Sequence, residues 1–261
     1  MFKAGIQKIG GVMKIFPINK KTTKKLYKEA LDIVQNKLNL RLNRPPKLVI
    51  SDYITGLSKE KTLDELIKKS GITTKREVSQ FKYGQEAQIV PAAYLPSNTI
   101  VVYRDNISIF SKLLSFKKKE LREAVTLSLI HELIHAYQAQ EILGLDRSIN
   151  RNGKYLYIIE GHATYITNQI SQEIGMVHTN RIGLSFFTHL DKIGEKYRLG
   201  LDDDVLEHIN EGHIQGSAFF KKLRKKTRSS LGMWAELKKI FYEKLVPPYG
   251  TIDYKRLFYK F

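Results

Sequence analysis

The order of its segments predicts an α+β fold: a small sheet in the first half of the chain and helices after it. Three observations carry this. Thr99-Ile100-Val101-Val102-Tyr103 is almost wholly β-branched or aromatic, the composition of a buried strand. Beyond it, helical spacing dominates, above all over residues from about 117 to 142 and 154 to 174. And 261 residues with 42% apolar and 10% aromatic content can fill a substantial core, as one large domain or two subdomains.

In chain order, Thr22 or Thr23 is placed to cap a helix with Leu26, Ala30, Ile33, Val34 and Leu38 on one side. Pro45-Pro46 ends it, and Lys47–Ser51 then reads as a short buried strand. Thr62-Leu63-Asp64-Glu65 is a capping box for a short helix ending near Gly71. From Ala87 to Tyr103, two apolar runs flank Leu95-Pro96-Ser97-Asn98, a turn sequence, so a hairpin is expected. The long helix near 117–142 has Gly144 as its stop, and the 154–174 helix carries the stripe Leu156, Ile159, Ala163, Ile166, Ile170 and Ile174. Further helices are expected over 180–198, 203–210, 214–228 and 230–244, and a boundary near 145 divides the chain into residues 1–145 and a helical part, 146–261.

Composition excludes several classes. There is no cysteine, so disulfides and thiolate metal sites are ruled out, and any zinc must be held by His, Asp or Glu. Met1–Ile18 has no continuous apolar core of a secretory leader, and no run approaches the roughly 20 apolar residues of a membrane span. A cytoplasmic protein is expected. The net charge is +18, from 44 basic and 26 acidic residues. Basic residues cluster in the first 30 positions and again at Lys221, Lys222, Arg224, Lys225, Lys226 and Arg228. That field implies weak, non-specific attraction to nucleic acid or an acidic partner, and no nucleic-acid-binding motif accompanies it.

The chemistry lies in His131-Glu132-Leu133-Ile134-His135, within the 117–142 helix. At about 100° per residue, histidines four apart stand above one another on one face, half of a tetrahedral zinc site. Glu132, one step around, can take a proton from a water held beside the metal. A third ligand must come from elsewhere. Glu160, in Glu160-Gly161-His162-Ala163-Thr164-Tyr165, lies on the edge of the apolar stripe, where a carboxylate needs a partner. Small Gly161 and Ala163 would let that helix lie close to another backbone. Glu211 is the other carboxylate, but Asp202–Asp204 and Glu207 around it read as a solvated acidic loop. His162 lies about 200° around the helix from Glu160, so the two cannot share a metal. It reads as a supporting or surface group, and His178, His189 and His208 as core or surface histidines.

These two segments resemble the zincin metallopeptidases of the glutamate-ligand (gluzincin, thermolysin-like) type. The close likeness covers about 45 residues, and the supporting frame about 75. The resemblance implies a zincin-like fold with a small mixed sheet, and an edge strand (Thr99–Tyr103 by position) pairing with an extended protein or peptide substrate. It implies one Zn²⁺ per chain on His131, His135 and Glu160, and hydrolysis with Glu132 as general base. Thermolysin-like members carry an aspartate four residues after the glutamate ligand, holding the first histidine; here that position is Thr164. They also add a downstream His or Tyr that stabilises the oxyanion. His213, in His213-Ile214-Gln215-Gly216, resembles a Tyr-x-x-Gly element with His for Tyr, ahead of Tyr197 and Tyr249 for that role. An intracellular peptidase needs restraint, and the Pro-rich aromatic tail is one candidate cover.

Overall fold

A computed structural model describes residues 18–51, 90–95, 97–141, 154–189 and 209–227. The helix expected over Thr62–Gly71, that expected over 203–210 except for its last two residues, that expected over 230–244, the stop at Gly144, the boundary near 145, Tyr197, His208 and the C-terminal tail all lie outside them.

Helix α1 spans Lys20–Asp32 and runs on as one π-helical turn, Ile33–Lys37. Its cap is Asn19 rather than Thr22 or Thr23: Asn19 Oδ1 accepts the Thr22 N–H at 2.8 Å. Leu26, Ala30 and Val34 form its buried row. Strand β1 is Lys47–Ser51, with the bounds the sequence predicts but only Ser51 fully buried, and β2 (Ala92–Leu95) and β3 (Thr99–Tyr103) form the expected hairpin. Asn98, at φ 56°, takes the left-handed turn position that asparagine tolerates.

The strand order is β1-β3-β2, with β1 parallel and β2 antiparallel to β3. The sheet is therefore mixed, but the expected edge is wrong. Thr99–Tyr103 is the central strand, buried at all five positions, and Ala92–Leu95 forms an edge among the described residues. A strand of continuous β-branched and aromatic residues, with no polar alternation, is what a centre covered on both faces requires.

Helix α2, Arg104–Leu113, follows β3 directly and has no counterpart in the sequence reading. Its polar opening, Arg104-Asp105-Asn106, and two serines give weak intrinsic helicity. Packing decides instead: Ile107 and Phe110 are buried, and Phe110 meets Phe116 and Phe186 edge-on at ring distances of 5.8 and 5.2 Å. Helix α3, Lys118–Glu141, closely matches the expected 117–142. Glu120 Oε2 accepts the Lys117 N–H at 2.8 Å, half of a capping box. Leu121, Val125, Leu129, Ile130, Leu133, Ile134 and Ala136 are buried on several sides, so α3 is the central helix of the core. Gln140, near its end, donates to Arg44 O at 2.8 Å, and Asn98 Nδ2 donates to the same oxygen at 3.0 Å, tying α3 to the hairpin.

Helix α4, Lys154–Glu173, packs on α3. Gly175, at φ 74°, closes it, and the Met176 N–H reaches back to Ser171 O at 2.8 Å. Helix α5 is Val177–Thr188, starting three residues before the expected 180–198, of which 190–198 lie outside the described residues. A π-helical segment, Ile209–Gln215, leads into α6, Gly216–Thr227, whose Phe219, Phe220 and Leu223 are buried towards the fold. Lys221, Lys222, Lys225 and Lys226 line its exposed side. Among the described residues, no helix is long and apolar enough to cross a membrane.

Candidate metal centre

His131 and His135 stand one turn apart on α3, their rings 4.6 Å between centroids and their Nε2 atoms 3.0 Å apart. Glu160, projecting from α4, brings Oε2 to 3.0 Å from His131 Nε2 and 3.2 Å from His135 Nε2. From the third direction, the π-helical segment brings His213 Nε2 to 3.6 Å from the same oxygen. The ligand atoms of His131, Glu160 and His213 lie within 4.8 Å of one another, a group able to hold a metal ion.

The surrounding hydrogen bonds decide which nitrogens face inward. The Ile159 carbonyl can only accept, so the Gln138 atom 3.1 Å from it is the amide nitrogen. The other terminal atom, 2.8 Å from His135 Nδ1, is then the oxygen, and it requires a proton on Nδ1. Neutral His135 therefore turns the Nε2 lone pair towards Glu160, the form a metal ligand needs. The Gln138 amide also donates to His162 Nδ1 at 2.9 Å. His162 thus supports the site from behind, as its angle from Glu160 predicts. Burial, and secondarily the charge of His135, pull its pKa down to about 3, so it stays neutral.

Burial alone would raise the Glu160 pKa, but His135, His131 and His213 outweigh it and hold the carboxyl well below the usual range. Burial likewise disfavours a charged His135, yet Glu160 and then Glu132 push its pKa up to about 9. A cation bound at Nε2 would therefore compete with the proton that these carboxylates favour. Two imidazoles sharing one ionised carboxylate fit a divalent cation with nitrogen and oxygen ligands, and no sulfur is needed.

Glu132 lies to the side of this cluster, its Oε2 accepting the Tyr94 N–H of edge strand β2 at 2.7 Å. Burial raises its pKa; the two histidines and the Tyr94 amide pull it back, Glu160 pushes it up, and the net direction is upward. A buried carboxylate shifted that way is suited to accept a proton.

Thr164 does not serve the first histidine as an aspartate would. Its Oγ1 pairs instead with His213 Nδ1 at 2.8 Å. Small Gly161 permits the expected close approach to another backbone, that of the segment carrying His213. A Cβ on Gly161 would lie 2.4 Å from the Gly216 carbonyl carbon. His178 is exposed, 3.8 Å from Glu120, and His189 is an exposed residue beside Ser185. Gln138 and Tyr94 are contributors that sequence reasoning missed, whereas Gly216 was read only as the close of the element that begins at His213. Only Gln138 had a signal, three residues after His135 on the same helical face.

Comparison with family models, with curated proteins and with solved structures finds no match to this chain.

Proposed function

We propose that the chain is a zinc-dependent metallopeptidase that cuts peptide bonds internally. The observation that carries this is the convergence of His131, His135 and Glu160, with Oε2 at 3.0 and 3.2 Å from the two Nε2 atoms, beside a separately held Glu132. Zinc bound there would polarise a scissile carbonyl and bring the pKa of a water towards ~7. Glu132 accepts that water's proton and delivers it to the leaving amine. Tyr94 N–H keeps its carboxylate aimed, and His213 Nε2 would donate to the developing oxyanion. Strand β2, at the sheet edge beside Glu132, is the surface on which an extended peptide would lie. A purely structural zinc site has no use for a general base, and this favours an enzyme over a basic partner-binding protein.

The test measures zinc content and peptide-library cleavage for wild type and Glu132→Gln. The variant is expected to keep one zinc per chain and lose activity by several orders of magnitude, since an amide cannot take the proton. Wild type that binds zinc but cleaves nothing, or a Glu132→Gln variant at near wild-type rate, would overturn the proposal.

A further inference from the structure

His213 is anchored from both sides of its ring. Thr164 Oγ1 fixes Nδ1 at 2.8 Å, so the ring faces the centre through Nε2, as His135 does. Its ring lies 5.3 Å from that of His131, tilted by 37°. Three residues on, the backbone of Gly216 presses against Gly161, next to Glu160. The segment between is π-helical, a geometry that recurs at functional sites.

Catalytic zinc sites keep one position open, whereas four protein ligands close a site. We propose, on the metallopeptidase reading above, that His213 is a fourth protein ligand. The resting centre is then a His₃–Glu set, and a substrate carbonyl gains its place only when His213 withdraws. The fold thereby carries its own restraint against indiscriminate cleavage. Thr164 suits both states, because a hydroxyl donates as well as accepts. Accepting from Nδ1–H, it leaves Nε2 bare for a metal. Donating to Nδ1, it leaves the proton on Nε2, as an oxyanion donor needs.

The experiment is X-ray absorption on zinc-loaded, full-length wild type and His213→Ala, with zinc dissociation constants from chelator competition. The expected result is three imidazoles on zinc in wild type and two in the variant, with affinity weakened at least tenfold. Acetohydroxamate, a small zinc-binding probe, should bind the variant at least tenfold more tightly, because a position has opened. Two imidazoles in fully loaded wild type would overturn the inference and leave the peptidase reading standing; wild type that takes up no zinc would overturn both. Should His213→Ala not fold, the wild-type count still decides, and Thr164→Val, which removes only the anchor of Nδ1, should lower it from three to two.

Discussion

Replacing Gly161 by alanine adds one methyl where two backbones already touch. The new Cβ would stand 2.4 Å from the Gly216 carbonyl carbon, 2.5 Å from its Cα and 2.8 Å from its oxygen. Ordinary contact begins near 3.4 Å, so α4 and the start of α6 must part by about 1 Å. Both sides are backbone, so no side chain can swing away. Overpacking of this kind costs roughly 1–3 kcal/mol, and the rigid neighbour places it near the top of that range. Against it, alanine is favoured over glycine inside a helix by about 1 kcal/mol. The clash wins, for a net loss of about 2 kcal/mol. In a chain of this size that lowers Tm by about 4–8 °C. Gly183, inside α5, is the matched control. A Cβ there meets nothing within 4 Å, so only the propensity gain remains and Gly183→Ala should raise Tm by about 2–4 °C. Thermal melts of both metal-free variants, read by circular dichroism, make the comparison. Equal stabilisation by the two substitutions would refute the close approach of α4 to the His213 segment.

Glu160→Ala should lose zinc binding and, in the zinc-loaded comparison, melt at a lower temperature than wild type, because the metal would cross-link α3 and α4; retention of wild-type affinity would remove Glu160 from the ligand set. Gln138→Leu keeps the volume of this buried position but frees the His135 tautomer, so zinc affinity should weaken about 10–100-fold in a chelator titration, and no change would refute the assignment of its amide. With His135 raised from 6.5 to about 9 in the metal-free protein, the folded state holds that proton more tightly than the unfolded state. Its stabilisation is complete below pH 6.5 and is lost as pH rises through about 9, so the metal-free melting temperature should fall over that interval, and less so in Glu160→Gln, whose carboxamide carries no charge.

The local elements were legible because their causes are local. A run of β-branched residues makes β3 a strand wherever it sits, and an unbroken 3.6-residue pattern makes α3 and α4 helices with boundaries correct to within a residue or so. The pairing of His131 with His135 follows from the pitch of a helix alone, and Glu160 was identifiable as a charge on an apolar edge. The edge strand was not legible in this way: strand order depends on hydrogen bonds between segments some 50 residues apart, and β1 claims the side of β3 that the hairpin leaves open. Helix α2 escaped notice because packing against Phe116 and Phe186, rather than its own propensity, sustains it. The wiring of the centre is non-local in the same sense. Thr164 finds His213 across 49 positions, and Gln138 reads Ile159 and His162 across 21 and 24, contacts that exist only once α4 lies against α3 and Gly216 against Gly161. Sequence thus determined which residues are able to hold a metal ion or move a proton, since that depends on side-chain type and helical spacing. Which nitrogen faces the site, which strand of the described sheet lies beside Glu132 and what holds His213 were decided by tertiary packing, because each depends on the distance between separate elements of the chain.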